Sequence, residues 1–184
     1  MTILVTGGAG FIGSNFIIEW FKSSNEPIIN IDKLTYAGNL NNLKVLNDSD
    51  SPYDFIKGDI TDRELIKQLL EKHSIRGIVN FAAESHVDRS IQDSEIFIKT
   101  NVSGVTSLLM EFTSHWQKNL NTLESPIFLH VSTDEVFGDL DLDEDSFTES
   151  SKYFPNNPYS ASKAASDHIV RAFNKTYGVP VITS

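Results

Sequence analysis

The 184-residue chain has no cysteine, so a disulfide framework and a thiolate metal site are both excluded. It also lacks any apolar run of membrane-spanning length, and Met1–Val5 leads straight into Gly7-Gly8 without a basic leader or a signal-peptide core. A cytoplasmic protein is expected. Basic residues are scarce, 15 against 25 acidic, and the net charge of -10 excludes nonspecific binding to nucleic acid or an anionic membrane surface. Asp139, Asp141, Asp143, Glu144 and Asp145 crowd one segment. A calcium loop fails there, because Glu144 stands where a glycine is required and Ser150 where a glutamate is required, so a solvated acidic loop is expected. Sequons start at Asn47, Asn101 and Asn174, but no secretory signal gives them meaning.

What is present is an alternation of short apolar strands and helical patterns. Strands are predicted at Thr2–Thr6, Ile28–Ile31, Asp54–Ile56, Gly77–Phe81, Ile127–Val131 and Val179–Thr183; helices at Ile12–Lys22, Asp62–His73, Val102–Lys118 and Tyr159–Tyr177. This βαβ series implies an α/β fold: a Rossmann-type doubly wound parallel sheet with helices on both faces, one domain over 1–184. Thr61 or Asp62 can cap the second helix, Pro158 suits the first turn of the last, and Gly178 suits its end.

Gly7, Gly10 and Gly13 join the first strand to the first helix. Such a turn lets backbone N–H groups approach a pyrophosphate at a helix N-terminus. Asp32 ends the second strand, where a carboxylate takes ribose hydroxyls and repels a 2′-phosphate, so NAD is favoured over NADP. Asp59-Ile60, after the third strand, are candidates for the adenine edge.

Tyr159 and Lys163 are four apart on one helix and share a face. Making tyrosine a base at neutral pH requires a shift of about 3 units, roughly 4 kcal/mol. An ammonium about 4 Å away at an effective dielectric near 20 supplies about that much. Ser132-Thr133-Asp134-Glu135 follows the fifth strand, where sheet ligands bind, and its adjacent carboxylates suit acid–base work.

The glycine turn and the Tyr159–Lys163 pair resemble the extended short-chain dehydrogenase/reductase superfamily. Asp32–Gly38, Ala82–Ser90 and Ser132–Gly138 resemble nucleotide-sugar 4,6-dehydratases across essentially the whole chain. The resemblance implies an NAD-dependent hydro-lyase of deoxysugar biosynthesis, acting on a nucleotide sugar with dTDP-glucose favoured. Tyr159 would take the 4-hydroxyl proton, Glu135 the C5 proton, and Asp134 would protonate the departing 6-hydroxyl. Thr133 would bind the C4 oxygen, and Lys163 the nicotinamide ribose. Cofactor contacts are implied for Gly7, Gly10, Phe11, Ile12, Gly13, Asp32, Lys33, Leu34, Thr35, Asp59, Ile60, Phe81, Ala82, Ala83, Ser85, Thr100, Tyr159 and Lys163, and substrate contacts for Ser85 and Thr133.

No metal is implied, and His86, with no partner spacing, reads as structural. A homodimer is implied through a four-helix bundle of Val102–Lys118 and Tyr159–Tyr177. Phe137 departs from the tyrosine usual in the family. So does the extent of the chain, from which the family's C-terminal substrate domain is missing. Two other functions stay open: a noncatalytic NAD-binding fragment, and a UDP- or GDP-sugar dehydratase or epimerase of the same superfamily.

Overall fold

The computed structural model describes residues 1–47, 49–141 and 145–184, so Asp143 and Glu144 of the acidic segment lie outside the described residues. Six strands form one parallel sheet: β1 (Thr2–Thr6), β2 (Ile28–Asp32), β3 (Tyr53–Lys57), β4 (Ile75–Asn80), β5 (Ile127–His130) and β6 (Val181–Thr183). Their order is β3-β2-β1-β4-β5-β6 and every neighbouring pair is parallel. The order reverses between β1 and β4, and a crevice at such a switch point is where ligands of open α/β sheets bind.

Alternation along β1 assigns its two faces. Leu4 joins a core with Ile66, Leu108 and Val170, whereas Ile3 and Val5 join Ile17 and Ile28 on the other side. The helices obey the matching period. In α2 (Arg63–Lys72) Ile66, Leu69 and Leu70 are buried, and in α5 (Val105–Lys118) Val105, Leu108, Leu109 and Phe112 are. α1 (Phe11–Ser23) covers the opposite face through Ile17. Asp62 caps α2 by accepting from the Leu65 N–H at 3.0 Å, and Gly178 ends α6 (Pro158–Tyr177) in the left-handed region at φ 75°.

Two of the shifted boundaries have local reasons. β6 starts at Val181, after Pro180, which has no N–H to contribute to a ladder. The helix predicted from Val102 begins earlier: α4 (Ser94–Phe97) runs through a π-helical segment, Ile98–Gly104, into α5. The widened turn sets Asn101 inward, where its side chain bonds across to the segment after β4 instead of continuing the surface pattern. A short helix α3 (Val87–Gln92) and a 3₁₀ segment Leu40–Leu46 occupy stretches where no regular element was predicted.

Candidate active site

The turn after β1 is built on contacts that only glycine permits. Gly7 adopts φ +70°, and a Cβ there would come within 2.6 Å of the Ala82 nitrogen; one on Gly13 would come within 2.5 Å of the Gly7 carbonyl oxygen. Gly10 differs, since a Cβ there would meet only the Gly7 oxygen, at 3.2 Å. Gly10 also begins α1 without a side-chain cap, and the first turn carries no acidic residue. The first N–H groups of α1 are thus left for a ligand, and the helix dipole favours an anion.

The turn is held from below by Asn30, which is fully buried in β2. Its Oδ1 accepts from the Gly8 N–H at 3.1 Å while its amide donates to the Tyr53 hydroxyl at 2.9 Å. Asp32 braces the same turn, accepting from Ala9 N–H at 3.0 Å on Oδ2 and from Leu34 N–H at 2.8 Å on Oδ1. Beside it, Lys33 pairs with Asp59 at 2.7 Å. Burial pulls the Asp59 carboxyl up, but Lys33 and the Thr61 donors hold it below the ordinary carboxylate range.

These groups line a cavity of about 400 Å³ running from the glycine turn to α6. Of the predicted cofactor residues, Gly7, Gly10, Phe11, Ile12, Gly13, Asp32, Lys33, Thr35, Asp59, Ile60, Phe81, Ala82, Ala83, Ser85, Thr100, Tyr159 and Lys163 line it; Leu34 does not. Leu34 instead takes φ 57° and supplies the backbone donor that orients Asp32. Phe11 and Ile12 are 81% and 61% exposed, apolar surface at the mouth of the cavity that suits the flat face of a base.

Thr133, Asp134 and Glu135 stand outside the lining, on a short 3₁₀ segment, Asp134–Phe137, that follows β5. Thr133 caps this segment by accepting from the Glu135 N–H at 3.3 Å, and its hydroxyl lies near enough to Tyr159 to pull that phenol's pKa down. Asn157, which caps α6, also donates to Glu135 Oε2 at 3.4 Å. Three elements thereby bring Thr133, Glu135 and Tyr159 to one place. Phe137 packs against Phe147 and edge-on against Tyr153, so its ring fills an aromatic corner without the hydroxyl a tyrosine would bring.

Lys163 takes a partner that the four-residue spacing from Tyr159 does not indicate. Both side chains line the cavity, but Lys163 Nζ donates to the Val131 carbonyl at 2.6 Å and lies 3.5 Å from His130 Nε2. The carbonyl just past the end of β5 is a buried acceptor within reach, and a desolvated ammonium takes it. Tyr159 accordingly remains above its ordinary value: burial raises it, the Thr133 hydroxyl lowers it, and the charges of Glu135, Asp134 and Asp167 raise it further. Lys163 moves the other way, down to about 8, because it is buried, with Asp167 opposing the shift.

Several groups at the site were missed from sequence. Glu84, 5% exposed, lines the cavity with one carboxyl oxygen that has no hydrogen-bond partner among the described residues. Burial holds its pKa up. Its backbone is clamped by Asn101, which accepts from Glu84 N–H at 2.8 Å, donates to Glu84 C=O at 2.9 Å and donates to Ser162 Oγ at 2.8 Å. His130, Ser166 and Asp167 are likewise buried. The available signal was the buried stripe of α6, where Tyr159, Lys163, Ser166, Asp167 and Val170 follow helical spacing yet are mostly polar. Among the described residues no group of histidines and carboxylates could hold a metal ion, and no helix is long and apolar enough to cross a membrane.

Residues 4–184 match the family model described as GDP-mannose 4,6 dehydratase. A dTDP-glucose 4,6-dehydratase of Xanthomonas campestris pv. campestris (strain B100) is 53% identical over 184 residues, covering 100% of this chain and 52% of the relative. One from Haemophilus influenzae is 47% identical over 183 residues, covering 99% and 54%. The solved structure of DesIV, a dTDP-glucose 4,6-dehydratase from Streptomyces venezuelae with NAD and dTDP bound, superposes with a TM-score of 0.88 at 42% identity, covering all of this chain and 54% of that one. The chain spans about half the length of the curated relatives it matches. With a parallel sheet, a glycine turn at its switch point and a match over residues 4–184, the chain belongs to the GDP-mannose 4,6 dehydratase family.

Proposed function

We propose that this chain, as one domain over 1–184, carries the NAD site and the acid–base groups of a dTDP-glucose 4,6-dehydratase, which forms dTDP-4-keto-6-deoxyglucose. The observation that carries the reading is the bond from Asn157, the cap of α6, to Glu135 Oε2 at 3.4 Å, which sets the Asp134–Glu135 pair beside the start of the helix that carries Tyr159 at the edge of the cavity. An oxidation or epimerisation needs the tyrosine; only loss of water needs the two carboxylates as well.

The cavity suits a dinucleotide. The uncapped start of α1 and the open side of Gly10 fit a pyrophosphate. Asp32 spends one backbone bond on each oxygen and keeps lone pairs for ribose hydroxyls. Asp59, Ile60, Phe81, Ala82, Ala83, Ser85 and Thr100 all line the cavity, and we assign Asp59 and Ile60 to the adenine end and the rest to the nicotinamide end. Bound NAD supplies hydride acceptance from C4 of the sugar and hydride return to C6.

Tyr159 takes the proton of the 4-hydroxyl, and Thr133 holds the C4 oxygen in line with it. The 4-ketone acidifies the C5 proton, which Glu135 removes while Asp134 protonates the departing 6-hydroxyl. Asp134 is exposed, as a proton donor that must be recharged from solvent requires. Ser85 adds a substrate contact, and Lys163 holds the nicotinamide ribose.

Assayed at the relatives' full length with NAD, dTDP-glucose is expected to give the 4-keto-6-deoxy product, and UDP- and GDP-sugars to give little. Product from a UDP- or GDP-sugar alone moves the assignment to that nucleotide. A 4-epimer without water loss makes it an epimerase, and NAD binding without turnover makes it a binding fragment.

We further infer a cytoplasmic homodimer joined by α5 and α6 as a four-helix bundle. Met110 on α5 and Tyr177 on α6 are large apolar residues left 40% and 50% exposed. Sedimentation velocity is expected to give a dimer, and Met110→Lys to give monomer; a monomeric unsubstituted chain removes the proposal.

A further inference from the structure

Behind the cavity, the end of β5 meets α6 through a buried polar network of which the proposed chemistry uses only Lys163. Lys163, Asp167 and His130 are 3%, 4% and 0% exposed. A charge so far from water requires an opposite charge and a full set of hydrogen bonds. Asp167 Oδ2 has two donors, Ser132 Oγ at 2.5 Å and the Tyr153 hydroxyl at 3.0 Å. Oδ1 is 3.4 Å from His130 Nε2 but without the alignment of a hydrogen bond, so this oxygen is under-satisfied.

The proton positions follow along the chain of bonds. Ala82 N–H donates to Thr6 Oγ1 at 3.3 Å, and Thr6 donates to Asn80 Oδ1 at 2.6 Å. The Asn80 amide is then the donor to His130 Nδ1 at 3.1 Å, which leaves the imidazole proton on Nε2. Ser166 Oγ gives its proton to the Lys163 carbonyl at 2.8 Å, so at 3.2 Å it can only accept from Nε2–H. Nε2–H thus points into the space between Ser166 and Asp167, and it cannot accept from the Lys163 ammonium 3.5 Å away. A second positive charge on His130 is disfavoured by its burial and by Lys163, with Asp167 opposing. Lys163 is the cation of the set and Asp167 its anion, one helical turn apart on α6.

We propose that Asp167 is a positioning residue for Lys163: it ties α6 to the end of β5 through Ser132, with the neutral, Nε2-protonated His130 lying between carboxylate and ammonium, and supplies the buried negative charge that keeps the ammonium at the Val131 carbonyl. The same carboxylate secures Tyr153, which packs on His168 and Phe137 beside the acid–base segment. The Asp167 charge also reaches Tyr159 on the same helix, which feels the charges of Asp134 and Glu135 as well. The proposal takes its functional meaning from Lys163 as the ribose-holding residue, but it can be measured on the amine itself, without cofactor or substrate.

The Cε resonance of isotope-labelled Lys163 is titrated by NMR in the 184-residue chain and in Asp167→Asn. The unsubstituted amine is expected to titrate near its shifted value of about 8. In Asp167→Asn the midpoint is expected to fall by about one pH unit, roughly tenfold in the acid dissociation constant, while Asp167→Glu restores most of it. A merely structural role lowers thermal stability and leaves the midpoint in place, which overturns the proposal. Should Asp167→Asn fail to fold, the ring nitrogens of His130 in the unsubstituted chain decide: neutral imidazole protonated on Nε2 supports the network, and protonation on Nδ1 overturns it. Failure of the chain to bind NAD changes neither readout.

Discussion

Glu135→Gln is expected to stop the loss of water while leaving oxidation at C4 intact. Glutamine has the shape of glutamate and keeps an oxygen to accept from Asn157, which lies 3.4 Å from Glu135 Oε2. Thr133 caps the segment through backbone N–H of residue 135, so the 3₁₀ turn and the Thr133–Tyr159 contact are preserved. What disappears is a base for the C5 proton, and removal of a positioned base costs about 10²- to 10⁴-fold. In a protein of the relatives' full length given NAD and dTDP-glucose, the reduced-nicotinamide absorbance should rise and persist as the 4-keto hexose accumulates. Exchange of deuterium into C5 should fall by the same factor as product formation. Dehydration at the unsubstituted rate would remove Glu135 from its assigned role.

The elements that place Glu135 were legible to different degrees, and the difference follows the range of the interactions. The glycine turn, Asp32 and the ends of α2 and α6 depend on residues a few positions apart, so spacing and cap chemistry suffice to read them. Asn30 sits inside β2, and Asn80 and His130 end β4 and β5, and by pattern they look like blemishes on apolar runs. Their reason lies 22 to 74 residues away: Asn30 meets Gly8, Asn80 meets Thr6 and His130 meets Ser166. The four-residue spacing of Tyr159 and Lys163 puts both on one face, but it cannot say that the Val131 carbonyl takes the ammonium. Nor does any periodicity announce a π-helical segment, which here turns Asn101 toward Glu84 and Ser162. Such local widening of a helix is often found at functional sites.

Gly7→Ala is expected to damage fold and site together, because Gly7 is where both meet. The residue is at φ +70°, which costs an alanine roughly 1 kcal/mol or more. The added methyl would lie 2.6 Å from the Ala82 nitrogen and 2.8 Å from the Phe81 carbonyl carbon, atoms of the backbone that cannot rotate away. That backbone is pinned to β1, since Phe81 N–H donates to Thr6 C=O at 3.0 Å and Ala82 N–H to Thr6 Oγ1 at 3.3 Å. Relief requires the glycine turn and the segment ending β4, both lining the cavity, to part. The total cost is on the order of 3 kcal/mol, which for a chain of this size lowers the thermal midpoint by roughly 6–12 °C. Gly10→Ala is the control, because its methyl meets only the Gly7 oxygen at 3.2 Å and φ is an ordinary -75°. It should melt within a few degrees of the unsubstituted chain yet bind NAD more weakly, since the methyl intrudes on the face offered to the pyrophosphate. Differential scanning calorimetry and NAD titration separate the two effects, and equal melting of both variants would show that the Gly7–Ala82 contact does not limit stability.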